Sequence, residues 1–487
     1  MVGWLVGWLV GWLVGWLVGW LVGVMGETQQ AEAMEEEQER PPPGVGRRAK
    51  VLVVLWGAAM FLPALPLVLG FCCLAVSMLG YDDPETRAFS LGMVAIMVVG
   101  LVCGGTMLAQ GSGALRKKPT KRLRLPPLWA VIGGFVLMMA TGLGLWQVED
   151  IALLFSPWFI IVAAALPPLA AVVWTVDGRP EWLTWRRASV AFSAGATVAV
   201  LLAILLEILV PYTIVWLLLD LSEPVLDAIE GLVDLLAGGE VAHTLTSPGF
   251  LLALFGLAVV APLAEEFVKP LVVLPLLKGL ESRRDAFLLG AAVGAGFAAL
   301  ENVVYALVGG NYWGGILTVR ALGAAVHPLG AGLTALAWHA SLNRKSDAGR
   351  GWIGGFGLAV GQHALWNGGL ALWMALAGTT FFGPELTEAD VMGVSIAVGL
   401  LALIALEGAA LWMGMRVLSR RLDPGPGLDF DPDLDEDAPE ARAITSRERI
   451  AGIGISTERA IALWAVVCLL VLLPVGLAAL RGVQGYK

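Results

Sequence analysis

Long apolar runs alternate with short polar stretches along nearly the whole chain. Runs of about twenty residues or more, long enough for a helix to cross a bilayer, occupy residues 51–80, 89–113, 127–147, 152–175, 188–219, 250–277, 286–308, 319–342, 352–377, 391–416 and 460–480. The pattern predicts an all-α protein, a polytopic transmembrane helical bundle of about 10–11 spans. Two regions stand apart. Residues 1–24 are a near-perfect GWLV repeat, and residues 417–459 form an acidic linker before a last span in 460–487. Tryptophan prefers membrane interfaces to the bilayer centre, so a Trp at every fourth position makes a poor span. A start at Met25 that leaves the repeat untranslated is as open a reading as its translation.

Composition agrees with the pattern. The chain of 487 residues is 58% hydrophobic and 15% charged, far from the balance of a soluble domain. Its net charge of −9 comes from acidic loops and tails, and no basic aromatic surface suggests nucleic acid as a partner. The expected partners are the lipid bilayer and a membrane-protein or anchored peptide substrate; nothing in the sequence bears on oligomeric state. Cys72, Cys73, Cys103 and Cys468 all fall in apolar runs without metal-type spacing.

Basic clusters divide the spans. Arg47, Arg48 and Lys50, residues 116–124, Arg186 and Arg187, residues 278–284, residues 343–345, and Arg416 with Arg420 and Arg421 fall between alternate pairs of spans. By the positive-inside rule the polar tail 25–50 is cytoplasmic and the C-terminus external. The division is then a five-span region over 51–219, a four-span core over 250–377, an added span over 391–416, the acidic linker and the C-terminal span.

Against this apolar background a few ionisable residues stand out. They are Glu265, Glu266 and Lys269 in APLAEEFVKP, Glu301 in GFAALENVVY, His327 in AAVHPLGAGL, and His363 with Asn367 in VGQHALWNGG. An ionisable group in hydrocarbon costs several kcal/mol, which makes each a functional candidate. Counted from the cytoplasmic ends of their helices at 1.5 Å per residue, Glu265, Glu266, Glu301, His327 and His363 all lie roughly 16–23 Å deep. One depth on successive helices suggests one site. Glu207 and Glu407 lack such a partner pattern and read as structural; His243 and His339 lie outside the depth-matched set.

The residue types suggest hydrolytic chemistry. Glu265 and Lys269 are one turn apart and can pair. Two adjacent carboxylates in low dielectric cannot both carry charge cheaply, a setting that suits a general base for water. Glu301 shares a helical stripe with Phe297 and Tyr305, and Gly290 with Gly294 offers a face for close helix packing. Glu301, His327 and His363 compose a His2Glu set of the kind that holds zinc. Asn367, one turn below His363, can donate to an oxyanion. Pro262, Pro270 and Pro275 loosen backbone groups along the first of these helices.

EEFVK, FAALE, the isolated His327 and HALWN together resemble the motif series of the PrsW family of intramembrane proteases, related to the type II CAAX prenyl endopeptidases and bacterial Abi proteins. The resemblance covers residues 250–370. It implies catalytic carboxylates at Glu265 and Glu266, with Lys269, Glu301, His327 and His363 completing the motifs. One position departs: where the family carries Asp four residues after the last histidine, this chain has Asn367, closer to the CAAX-type pattern. The resemblance implies substrates such as membrane-anchored anti-sigma factors. The same residue types at mid-membrane also suit a proton-coupled transporter, although no inverted repeat is visible, and a non-catalytic scaffold stays open as a third reading.

Overall fold

The computed structural model describes residues 47–77, 84–121, 123, 125–146, 149–176, 184–207, 248–277, 280, 282–309, 313–342, 348–381 and 388–422. The GWLV repeat, the polar tail up to 46, residues 208–247, the acidic linker from 423 onward and the span expected at 460–480 lie outside the described residues.

The described chain is an all-α bundle of long helices. In chain order these are α1 (Arg47–Ser77), α2 (Pro84–Leu115), α3 (Leu128–Trp146), α4 (Glu149–Val176) and α5, which opens as Trp185–Ala194, widens through a π-helical turn at Gly195–Ala199 and runs on to Glu207. Next, α6 is assembled from Pro248–Phe255, a second π-helical turn at Gly256–Val260, and Ala261–Leu277. Then come α7 (Arg283–Val308), α8 (Trp313–Leu322), α9 (Val326–Leu342), α10 (Ala348–Phe381) and α11 (Glu388–Leu422).

Eight of these helices are long and apolar enough to cross a membrane, and the α8–α9 pair makes a ninth if it counts as one broken span. With this many spans the chain is a multi-pass membrane protein. Helix α10 is long enough but falls outside those eight; its glycines and the polar Gln362, His363 and Asn367 dilute its apolar character. Large apolar side chains such as Leu62, Trp129, Leu403 and Leu406 are more than half exposed, as lipid-facing positions should be.

Helix α7 is the hub. It begins cleanly, because Ser282 is its N-cap and accepts from the Asp285 amide. Its alanines and leucines favour helix, and its glycines let neighbours approach. A Cβ on Gly290 or Gly294 would overlap the carbonyls of Ala331 and His327 on α9. One on Gly296 would overlap the Phe192 carbonyl on α5. The Gly290–Gly294 face predicted for close packing is therefore the face that receives α9. Helices α4, α5, α6 and α9 all pack on α7, while α10 lies against α9 and α11 against α10.

The run expected as one helix over 319–342 is two, bent by 41° at residues 323–325. Pro328 has no N–H for the Ala324 carbonyl, so a straight helix would lose that bond. Gly323 fits at the bend because its missing side chain makes room for the Trp366 ring on α10.

Candidate functional site

Helices α6, α7, α9 and α10 bring the expected polar residues together, and α8 adds one that sequence reading missed. Lys269 on α6 is the centre. Its Nζ donates to Glu266 Oε1 at 2.6 Å and to Glu265 Oε2 at 3.1 Å, and lies 2.8 Å from His327 Nδ1 on α9. Lys269 thus binds both glutamates, the nearer being the one three residues before it. The ammonium also sits 4.3 Å over the Phe297 ring. Lys269, Glu266 and His363 are each 0% exposed, and Glu265 only 5%.

The two imidazoles have defined hydrogen-bond roles. Lysine can only donate, so His327 Nδ1 accepts from it; its Nε2 lies 2.6 Å from Glu301 Oε2 and 3.5 Å from Arg320 Nη2, and the closer carboxylate takes the Nε2 proton. The amide nitrogen of Asn367 can only donate as well. It faces His363 Nε2 at 3.2 Å, which leaves the His363 proton on Nδ1, 3.0 Å from Glu266 Oε1. The rings meet edge to face at 4.7 Å between centroids. Glu265 Oε2 faces both, 3.5 Å from His327 Nδ1 and 3.8 Å from His363 Nε2. Glu266 Oε2 is buried without a hydrogen-bond partner among the described residues. It packs on Gly330, where a Cβ would come within 2.6 Å of it.

Two prolines explain how the site is held. In α6 the π turn sends the Ala261 N–H to the Gly256 carbonyl, and the next residue, Pro262, has no N–H to give. The Leu257 carbonyl is therefore free, and Asn367 donates to it at 3.1 Å. In α4 the carbonyl of Ala164 would take its helical bond from residue 168, which is Pro168. Asn302 on α7 fills that gap at 3.0 Å. In both cases a proline leaves a carbonyl open inside the bundle and an asparagine closes it.

Arg320 on α8 escaped the sequence reading. Its guanidinium donates to Glu301 Oε2 at 2.7 Å and to Asn302 Oδ1 at 2.5 Å, and stacks over Tyr305 at 4.5 Å. Its signal was an arginine at the edge of an apolar run, where it reads as an interfacial anchor. Glu207, expected to be isolated, stands within electrostatic reach of Glu301, Lys269 and Glu265. His339 is separate from the cluster and bonds the Leu280 carbonyl at 2.7 Å. Glu407 on α11 has a buried Oε1 with no hydrogen bond among the described residues, and His243 lies outside them.

The residues grouped as a metal-ligand candidate are Glu265, Glu266, His327 and His363, whose ligand atoms all lie within 4.8 Å of one another. Glu301, expected in the ligand set with His327 and His363, is not among these four; its Oε2 takes bonds from Arg320 and His327. Asn367, expected as an oxyanion donor, spends its amide on Leu257 and His363.

Residues 183–404 match the model of the PrsW family intramembrane metalloproteases, a stretch that includes α5 to α10 and reaches into α11. Neither a curated protein nor a solved structure matches the chain.

Proposed function

We propose that this chain, over residues 183–404 a member of the PrsW family of intramembrane metalloproteases, is an endopeptidase that cleaves peptide bonds in or near the transmembrane segments of other membrane proteins. One observation carries the reading: two adjacent glutamates share a buried ammonium and face two imidazoles inside a helical membrane bundle. Peptide hydrolysis needs a base for water and donors for the charge that forms on the carbonyl oxygen.

Glu265 is the base in this reading. It keeps a trace of exposure where Glu266 has none, and its Oε2 is the carboxylate atom that faces both histidines. It takes a proton from water as the water oxygen attacks the substrate carbonyl carbon, then passes that proton to the departing amide nitrogen. Lys269, its three protons held by Glu265, Glu266 and His327, contributes positive charge beside the reacting carbonyl rather than a hydrogen bond to it. Glu301 and Arg320 hold His327, and Asn367 holds His363, so that the imidazoles keep one orientation toward the water. Glu266 fixes Lys269 and His363 from the far side.

The donor types of Glu265, Glu266, His327 and His363 suit zinc. The arrangement does not fit it, because the Lys269 ammonium is already bonded to atoms of three of the four residues. The tail after Met25 is assigned to the cytoplasm and the C-terminus to the outside on the distribution of basic loops. Single-span regulators of the anti-sigma-factor type are the first substrates to examine.

The test is a survey of new protein N-termini in native membranes, comparing the wild-type chain with Glu265→Gln and Glu266→Gln. Termini that disappear in both variants and map beside single transmembrane segments support the protease. Unchanged maps at equal protein levels overturn it in favour of proton-coupled transport or scaffolding.

A further inference from the structure

The Lys269 ammonium sits where a metal ion would be coordinated. Its three partners, Glu266 Oε1 at 2.6 Å, His327 Nδ1 at 2.8 Å and Glu265 Oε2 at 3.1 Å, account for all three ammonium protons. These atoms belong to three of the four residues that could hold an ion. Zinc held by these oxygens and this nitrogen would lie about 2.0–2.2 Å from each. An ion at that distance and an ammonium bonded to the same atoms would overlap, and both are positive.

Lys269 has nowhere inexpensive to go. It is completely buried, its ammonium rests on the Phe297 ring, and α6 and α7 close around it. Keeping both cations would put three positive charges beside two carboxylates in a low-dielectric interior, a costly imbalance. A lysine and a divalent ion are therefore alternative occupants of one cluster.

We propose that Lys269 is the resident cation of this centre and excludes divalent metal from it. The wild-type centre is then metal-free, at odds with the family's description as metalloproteases. Beneath it lies a latent divalent-metal site of Glu265, Glu266, His327 and His363, which opens when the ammonium is removed. The proposal rests on reading this cluster as the catalytic centre, but its test reads bound metal, so it can fail without the protease reading failing.

The experiment equilibrates the purified full-length chain with zinc, removes free ion and measures bound zinc by elemental analysis, for wild type, Lys269→Met and Lys269→Arg. Wild type and Lys269→Arg should carry only substoichiometric zinc. Lys269→Met should take up stoichiometric zinc with affinity at least about tenfold above wild type, and should lose it when His363→Ala is added. Stoichiometric zinc in wild type overturns the proposal, as does a folded, membrane-inserted Lys269→Met that takes up none. If Lys269→Met fails to fold, the other two proteins decide: zinc-free wild type and Lys269→Arg support exclusion, and zinc in either refutes it.

Discussion

Helices α1 and α7 are both apolar enough to span a membrane, yet 17% of an 18-residue apolar stretch of α1 is buried against 89% of one of α7. Apolar character puts a helix in the bilayer; it does not say whether the helix faces lipid or protein, because lipid tails and a protein core are equally apolar. Small residues make the difference. Helix α1 uses Gly57 to approach α2, where a Cβ would stand 2.6 Å from the Leu108 nitrogen, while Leu55 and Leu62 on its other face are exposed. Helix α7 has glycines and alanines around most of its circumference and is covered by neighbours on nearly every side. A helix covered on the side of its charged group, as α7 is at Glu301 and α6 at Glu265, Glu266 and Lys269, can provide partners for that group.

The sharpest way to break this contrast is to neutralise acids inside and outside the buried cluster. Glu265→Gln and Glu266→Gln should each lower cleavage by about 10²–10⁴-fold, the range of a lost general base or its partner. Glu407→Gln on α11 should change it by less than about threefold. Cleavage of one identified substrate, measured at matched protein levels, decides. A comparable fall from Glu407→Gln would show that any intramembrane acid matters and that the cluster has no privileged role.

A second contrast sets two glycines against each other. Gly294→Ala pushes a methyl into the His327 carbonyl, and Gly57→Ala pushes one into the α2 backbone. Both should destabilise by about 1–3 kcal/mol, as overpacking does. Only Gly294→Ala should also cut cleavage, by about 10²-fold, because it moves a histidine of the centre. Thermal unfolding and cleavage measured on the same samples separate the two effects.

Most of this organisation was legible in the sequence, for different physical reasons. Span positions follow from hydropathy alone, so residues 286–308 were placed within a few residues of the observed Arg283–Val308. The shared depth of Glu265, Glu301, His327 and His363 follows from counting along helices. What could not be read is which atoms meet. Spacing on α6 suggested that Lys269 pairs with Glu265, but side-chain reach lets it bind Glu266 more closely. Arg320 at the edge of an apolar run resembles a surface anchor until the bend at 323–325 turns it onto Glu301. The free carbonyls of Ala164 and Leu257 depend on a proline in one helix and an asparagine in another, a pairing that no local pattern reveals.

Arg320 gives the next smaller effect. Arg320→Gln should lower cleavage by about 10–100-fold, because Glu301 and with it His327 lose a fixed position. Arg320→Lys should recover part of that, because a cation near Glu301 keeps some of the pairing that Arg320 makes. If lysine does no better than glutamine, the fork of bonds to Glu301 and Asn302 is what counts, and the charge is secondary.

The smallest effect, and the most specific, concerns the proline-freed carbonyl. Asn367→Ala removes the donor to Leu257 and the partner of His363, and should reduce cleavage by roughly tenfold. Pro262→Ala restores an N–H that can bond the Leu257 carbonyl within α6 and so compete with Asn367. It should cost less than Asn367→Ala, because the Asn367 contact to His363 survives. If the two residues act through one carbonyl, the double variant should be no worse than Asn367→Ala alone, so the two losses will not add. Additive losses would show that Pro262 shapes α6 in some other way and that the asparagine holds His363 without help from the π turn. Since both residues sit where α6 meets α10, this cycle also tests whether the precision of the centre comes from a backbone gap that a side chain of a neighbouring helix closes.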